Sequence, residues 1–369
     1  MKRLEEVLLK QRRVADLLEQ KGLDALLLKK QPNFSWFTGG GLNMVGIATE
    51  MGVTSLLITK EARYVLASRI EAARMMEDEG LAELGFVLLD YEWYADKEAE
   101  LIRKVTPDLS RVGADAGFGS CLNIDGDIKK LRYCLTENEV ERYRFLGDKL
   151  SQAIEKIMLG IRPGDKECEI AGRIGGELWP DRIDPTGLQV AADDRIYRFR
   201  HPIPTAQMVK RYVMVSVNAR YKGLITTVTR LLHFGRPPQE LIKQFVDNNE
   251  IECRMIAVAR PGVPWADAFQ TGLAAYKELG YENEWQLHHQ GGAMGYYARD
   301  IRVTPDTSER IQADQAICWN PSIAGTKTED GFIATGEGPL MITQPVIYPK
   351  IVTEVGGTRI VKPGLLILD

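Results

Sequence analysis

Apolar residues in "MKRLEEVLLKQRRVADLLEQKG" fall at Leu4, Val7, Leu8, Val14, Leu17 and Leu18, which is helical spacing, with charges on the other face. The short apolar run "LDALLL" then predicts a buried strand. "GVTSLLIT" and "ARYVLAS" predict two more strands, "RIEAARMMEDEG" a helix stopped at Gly80, "GFVLLDY" a strand and "KEAELIRKV" a helix. This alternation predicts an α/β layer with a mostly parallel sheet over roughly residues 1–130. "TENEVERYRFLGDKLSQAIEKIMLG" changes the character: Thr136 and Glu139 form a capping box ahead of a long helix. We place the domain boundary near Leu135, giving domains of residues 1–135 and 136–369.

The second region carries a faint internal repeat. "IEKIMLGIRPGDKECEIAGRI" and "CRMIAVARPGVPWADAFQTGL" each read as helix, Arg-Pro-Gly turn and helix, with Gly164 and Gly262 at equivalent places. Proline cannot continue a helix and glycine supplies the turn, so two bent helical pairs are predicted around a cleft. Between them, the apolar run Tyr212–Val217 and the β-branched run Ile225–Val228 predict a hairpin. "QAICWNPSIAG" and "TKTEDGFIAT" predict further strands lining the cleft.

Composition narrows the function classes. The chain has 369 residues, 44% hydrophobic and 27% charged, with a net charge of −4. With no long basic tract, nucleic acid and anionic membranes are not expected partners. No apolar run is long enough to span a bilayer. The cysteines Cys121, Cys134, Cys168, Cys253 and Cys318 are scattered, without CxxC spacing, and are expected to be the reduced thiols of a cytoplasmic protein.

Three clusters hold the candidate chemistry. "WQLHHQGGAMGYYARD" sets His288 and His289 side by side. On a strand these neighbours would point to opposite faces. "YRFRHPIPT" presents Arg200 and His201 on a loop stiffened by two prolines, a good way to hold a proton shuttle against an anionic substrate. His233, in an apolar strand, reads as a core residue. "GTKTEDGF" offers Glu329 and Asp330 beside Lys327, for which a surface ion pair is the simplest reading. A dinuclear hydrolytic site needs several anionic oxygens. The hairpin from Met214 to Arg230 contains no Asp or Glu, its neutral hydroxyls including Ser216, Thr226, Thr227 and Thr229.

Taken in order, these segments resemble the aminopeptidase P, prolidase and creatinase family over nearly the whole chain. "LDALLLKKQPNFSWFTGG" is similar to the family's opening strand. "RYVMVSVNARYKGLITTVTRLLHFG" is similar to its metal-binding hairpin, "HHQGGAMGY" to its histidine–glycine motif, "CWNPS" to its glutamate-proline-glycine strand and "TKTEDGF" to its last glutamate-aspartate strand. The resemblance implies a creatinase-like α/β N-terminal domain followed by a pita-bread domain, an α/β (α+β) chain. It places Ser216, Thr227, His289, Asn320 and Glu329 at the metal-ligand positions, of which only His289 and Glu329 keep a ligand side chain. The second histidine of the motif becomes Tyr296.

The same resemblance links His201 to the proton-shuttling histidine of metal-free creatinase, and "YYARD" to a stretch that makes Arg299 a candidate carboxylate binder. The leading expectation is a hydrolase without cofactor, acting on a C–N bond of a small substrate that carries a carboxylate. His201 would be the acid–base group, with His289 and Glu329 assisting. Arg200, Arg230 and Arg299 would bind anionic groups, while Asn320 and Tyr296 donate hydrogen bonds. Two alternatives stand beside it: a proline-specific metallopeptidase using a divalent metal such as manganese, and a non-catalytic peptide-binding module. Family members imply a homodimer acting on small molecules or short peptides.

Overall fold

The computed structural model describes residues 1–369 and divides into two compact units. The first comprises Met1–Val140 with Lys222–Leu224, and the second Glu141–Tyr221 with Ile225–Asp369. The division thus falls just after the expected boundary near Leu135, within a helix that runs unbroken past it.

The first unit opens with α1 (Arg3–Lys21), stopped at Gly22 in the left-handed region. Then come β1 (Ala25–Lys30), α2 (Gln31–Phe37), β2 (Met51–Thr59), β3 (Arg63–Ser68), α3 (Ala72–Met76), β4 (Val87–Tyr91), α4 (Glu98–Val105), β5 (Val112–Ala114), β6 (Leu122–Asn123) and α5 (Asp125–Leu131). Every expected element is present, but the sheet is mixed rather than mostly parallel. Its order is β4-β3-β2-β1-β5-β6. The β1/β2 and β2/β3 pairs are antiparallel, and β1/β5, β3/β4 and β5/β6 are parallel. The reason is local: only Lys60–Ala62 separates β2 from β3, too short for a crossover, so the chain must turn back as a hairpin.

Helix α1 departs from its simple amphipathic reading. Val7, Val14, Leu17 and Leu18 are buried, whereas Leu4 and Leu8 are exposed. In their place Glu6 and Lys10 are fully buried, with Lys10 Nζ 2.6 Å from Glu6 and 2.8 Å from Glu139. That Glu139 also accepts from the Thr136 backbone N–H at 2.7 Å, as the capping box predicts.

The second unit is built around α6 (Glu137–Gly160), α7 (Glu167–Leu178), β7 (Asp184–Ala192), α8 (Asp194–Arg198), β8 (Tyr212–Tyr221), β9 (Leu224–Phe234), α9 (Gln239–Val258) and α10 (Trp265–Glu278). It continues with β10 (Gly291–Ala293), β11 (Gln315–Trp319), β12 (Ser322–Ile323), β13 (Thr326–Lys327), β14 (Asp330–Ala334), β15 (Pro339–Met341), β16 (Lys350–Val355), β17 (Thr358–Pro363) and β18 (Leu366–Leu368). The main sheet runs β10-β11-β14-β9-β8-β7, with β15 against β14 and β18 against β9.

The repeat is real in three dimensions. The Arg-Pro-Gly turns join α6 to α7 and α9 to α10, with φ of 98° at Gly164 and 84° at Gly262. The Gly164 N–H donates to Val209 O at 2.8 Å, and the Gly262 N–H donates to Ile311 O at 2.8 Å. Each contact is followed by an isolated antiparallel bridge, Lys166 with Met208 and Pro264 with Arg310. Two halves therefore fix their helix pairs by the same backbone device.

Strand β9 is buried along its whole length. Its Arg230 is fully buried between Glu155 and Asp330, each at 3.0 Å. Glu155 also accepts three backbone N–H bonds, from Val346, Ile347 and Tyr348. Asp330 in turn receives Lys362 Nζ at 2.6 Å, and Lys362 reaches Glu252 at 2.7 Å. Arg230 was expected to bind a substrate anion. The structure corrects this: the guanidinium is sealed from solvent and already holds two carboxylates. Removing one member of such a buried set typically costs about 3–5 kcal/mol, because the partner charge is left uncompensated.

Candidate active site

Two groups of polar side chains meet in the second unit. The first surrounds Glu329, which precedes β14. Its Oε2 accepts from Ser216 Oγ on β8 at 3.1 Å and from Thr229 Oγ1 on β9 at 3.2 Å. Lys327 Nζ lies 3.0 Å from Glu329 Oε2 and donates to Ser216 Oγ at 3.0 Å. Arg299 Nη2 donates to Oε1 at 2.8 Å. Burial opposes the charge of Glu329. The Lys327 and Arg299 cations outweigh it and hold the carboxyl far below its ordinary value. Nearby, Thr227 Oγ1 and Cys318 Sγ are 2.7 Å apart. Burial pushes that thiol well up, so it stays protonated and is no nucleophile.

The expected surface ion pair is thus corrected: Lys327, Glu329 and Asp330 are all buried. Glu329 makes its bonds to Lys327, Arg299, Ser216 and Thr229 rather than orienting His289. Arg299, expected to grip a substrate carboxylate, holds the protein's own instead. Lys327 was missed as a site residue. Its signal was present, since positions two apart on an extended strand share a face and Lys327 stands two before Glu329.

The second group is histidines. His201 follows α8 and is exposed on its loop. His288 ends a single helical turn, Glu284–Leu287, and His289 follows in extended chain. They lie before β10 rather than on a strand, so they do not alternate. Their rings stack, with centroids 4.7 Å apart, and both face His201, at 4.8 Å from His288 and 5.8 Å from His289. His288 Nε2 and His201 Nε2 are 3.0 Å apart, a single shared hydrogen bond.

The local sequence explains the geometry. Gln290 donates to the carbonyls of His288 at 2.6 Å and Trp285 at 3.3 Å, and accepts from Tyr276 OH at 2.9 Å. Gly291 and Gly292 have φ of 100° and 141°. A Cβ at Gly291 would lie 2.1 Å from Cys318 O, and one at Gly292 2.2 Å from Ile301 O. Only glycine fits there, so "HHQGG" is a shaping motif as well as a chemical one.

A cavity of about 440 Å³ opens onto all three histidines and is lined also by Phe269, Trp285, Arg200 and Arg302. Burial, then the Lys327 ammonium, hold His201 below the ordinary imidazole value. Burial and Lys327 push His288 down to about 2, and burial with Arg299 and Arg302 push His289 down to about 3. All three rings are therefore neutral near pH 7. Arg200 reaches the cavity but is paired with Glu284, and donates to Ser322 Oγ at 3.2 Å. Arg302 also lines it and was missed by sequence reasoning, whereas His288 was named beside His289 and both face the cavity. Tyr296 and Asn320 are buried outside the lining. Asn320 Oδ1 has no partner. Tyr296 OH is 3.5 Å from Arg142 Nη2. His233 is a core residue, its Nδ1 3.0 Å from Gly235 O.

The positions that metallopeptidases of this shape fill with ligands do not fit a pair of divalent ions here. Ser216, Thr227 and Asn320 are neutral. Both oxygens of Glu329 already face a cation of the protein, one an ammonium and one a guanidinium. A divalent ion would meet two fixed positive charges and one shielded carboxylate, against the several hard anionic oxygens it needs.

The model of metallopeptidase family M24 matches residues 141–360, and that of the creatinase/prolidase N-terminal domain matches residues 10–145. An uncharacterized peptidase of Staphylococcus aureus strain USA300 is 25% identical over 235 residues, 60% of this chain and 65% of that protein. The match therefore spans less than two thirds of the relative's length. Among solved structures, the Xaa-Pro dipeptidase from Bacillus anthracis superposes with a TM-score of 0.77 at 19% identity, covering 98% of this chain and 100% of that one. The prolidase from Pyrococcus horikoshii OT3 gives 0.78 at 17%, covering 91% and 98%. The N-terminal domain of FACT complex subunit SPT16 from Cicer arietinum gives 0.71 at 11%, covering 93% and 96%. These likenesses establish the creatinase-like and pita-bread fold. With more than half its length matched by the family model, the chain belongs to metallopeptidase family M24.

Proposed function

We propose that this protein is a hydrolase that cleaves a C–N bond in a small, carboxylate-bearing substrate by acid–base chemistry at its histidines, without the dinuclear centre of its family. One observation carries the reading: neutral His201 and His288 share a hydrogen bond at 3.0 Å on the wall of a cavity, while the carboxylate at the ligand position is neutralised by Lys327 and Arg299. Arg302 supplies positive charge for a substrate anion. One proton lies between the two Nε2 atoms, so the pair works as a relay. His201 gains a proton from water or substrate as the His288 bond adjusts, then returns it to the leaving nitrogen. General acid–base catalysis contributes about 10²–10⁴-fold, and oriented binding supplies the remainder.

The test is turnover of a panel of Xaa-Pro dipeptides and small amidino or acyl-amino acids, with and without chelator. Turnover that persists in chelator and disappears in His201→Ala supports the proposal. Turnover abolished by chelator and restored by manganese or cobalt favours the proline-specific metallopeptidase. No turnover, together with a stable peptide complex unaffected by His201→Ala, favours a binding module.

A further inference from the structure

His201, His288 and His289 each offer a ring nitrogen, and these nitrogens lie within 4.8 Å of one another. They come from two separate segments that line the same cavity of about 440 Å³. The Nδ1 atoms of His288 and His289 are buried with no partner in the protein, so no protein group fixes which nitrogen of either ring carries the proton. Three imidazoles around an open position form the donor set of many zinc sites, in which a water or ligand completes the tetrahedron.

We propose that this triad is a mononuclear site for a borderline divalent cation of the zinc, nickel or copper class, which shares His289 with the family's ligand positions but replaces those around Glu329 with His201 and His288. Tetrahedral coordination at ordinary zinc–nitrogen distances sets the nitrogens about 3.3 Å apart, so the His201–His288 pair at 3.0 Å must part slightly and the wider separations, up to 4.8 Å, must close. His201 sits on an exposed loop, so it is the ring free to make that adjustment. Three neutral nitrogens with no carboxylate select against manganese, magnesium and calcium, which prefer oxygen. The positive charges of Lys327, Arg299 and Arg302 weaken affinity for every cation and sharpen the demand for strong imidazole binders. A bound cation occupies the nitrogens that the relay uses, so the loaded form is inactive. That last consequence, unlike the site itself, rests on the hydrolase reading.

The experiment uses the full chain, stripped with chelator and dialysed. Zinc chloride is titrated calorimetrically, and cobalt(II) by visible absorbance. The expected result is one equivalent per chain, with the intense d–d bands of a four-coordinate cobalt ion. His201→Ala and His288→Gln each weaken binding at least about tenfold, whereas Glu329→Gln leaves the stoichiometry unchanged. Because His201 is exposed, its variant is expected to keep the wild-type circular dichroism even if His288→Gln does not. The proposal is overturned if the wild type shows no saturable binding, if His201→Ala binds as the wild type does, or if Glu329→Gln abolishes binding. None of these readouts depends on finding a substrate.

Discussion

The cluster around Glu329 and the cluster around His201 lie in the same unit, yet they differ in how completely their bonds are satisfied. Both oxygens of Glu329 are taken up, by Lys327, Ser216 and Thr229 on one side and Arg299 on the other. The histidines leave two Nδ1 atoms without partners and border an open cavity. A polar group whose bonds are all made within the protein specifies structure, whereas one left incomplete is available for chemistry. Family position alone points to Glu329 as the centre, but the satisfaction of its bonds points to the histidines.

Substitutions can break that comparison. The largest effect is expected from His201→Ala: about 10²–10⁴-fold loss of turnover, with unfolding free energy changed by less than about 0.5 kcal/mol because the residue is exposed. Activity assays paired with urea denaturation check both halves, and a large stability loss would mean the histidines are structural after all. Lys327→Met inverts the pattern. It leaves Arg299 as the cation paired with Glu329 and is expected to cost about 3–5 kcal/mol in the same denaturation experiment.

A smaller effect is expected from pH. His288 is neutral when folded and titrates near the ordinary imidazole value when unfolded, so the unfolded chain binds the extra proton first as pH falls. Stability therefore drops as pH is lowered through about 6.5 toward the depressed folded value of about 2, by about 1–2 kcal/mol between pH 7 and 5. Thermal melts of wild type and His288→Gln check this. The variant loses the slope if His288 causes it, and keeps it if other groups do. The smallest effect belongs to Arg302→Gln, which is expected to raise KM for an anionic substrate several-fold, about 1 kcal/mol, with kcat nearly unchanged. A fall in kcat alone would move Arg302 from binding into the chemistry.

Much of the fold was legible because local patterns agree with tertiary structure. Apolar periodicity located the elements of the first unit, and the two Arg-Pro-Gly turns marked the paired halves before any contact was known. Strand direction was misjudged because element type was weighed without the length of the Lys60–Ala62 connection. The burial of Lys10 and Arg230 was illegible because each depends on a carboxylate remote in sequence, Glu139 for Lys10 and Glu155 with Asp330 for Arg230, and Glu6 is buried along with its partner Lys10. At the site, the neutral side chains of Ser216, Thr227 and Asn320 were readable from the sequence. The pairing of Glu329 with Lys327 and Arg299 was not, because lysine and arginine ordinarily face water. The pairing of His288 with His201 required the turn at Glu284–Leu287, which strand alternation does not anticipate.

The ammonium beside Glu329 is attached to the main chain. An ion captured from solution leaves when its concentration falls, and the carboxylates it held then repel one another. Lys327 cannot diffuse away or be competed for by other proteins, so the Glu329 carboxylate carries a counter-charge that does not depend on a dissolved ion. The melting temperature should accordingly be insensitive to chelator at that locus, leaving the triad as the place where metal supply is felt.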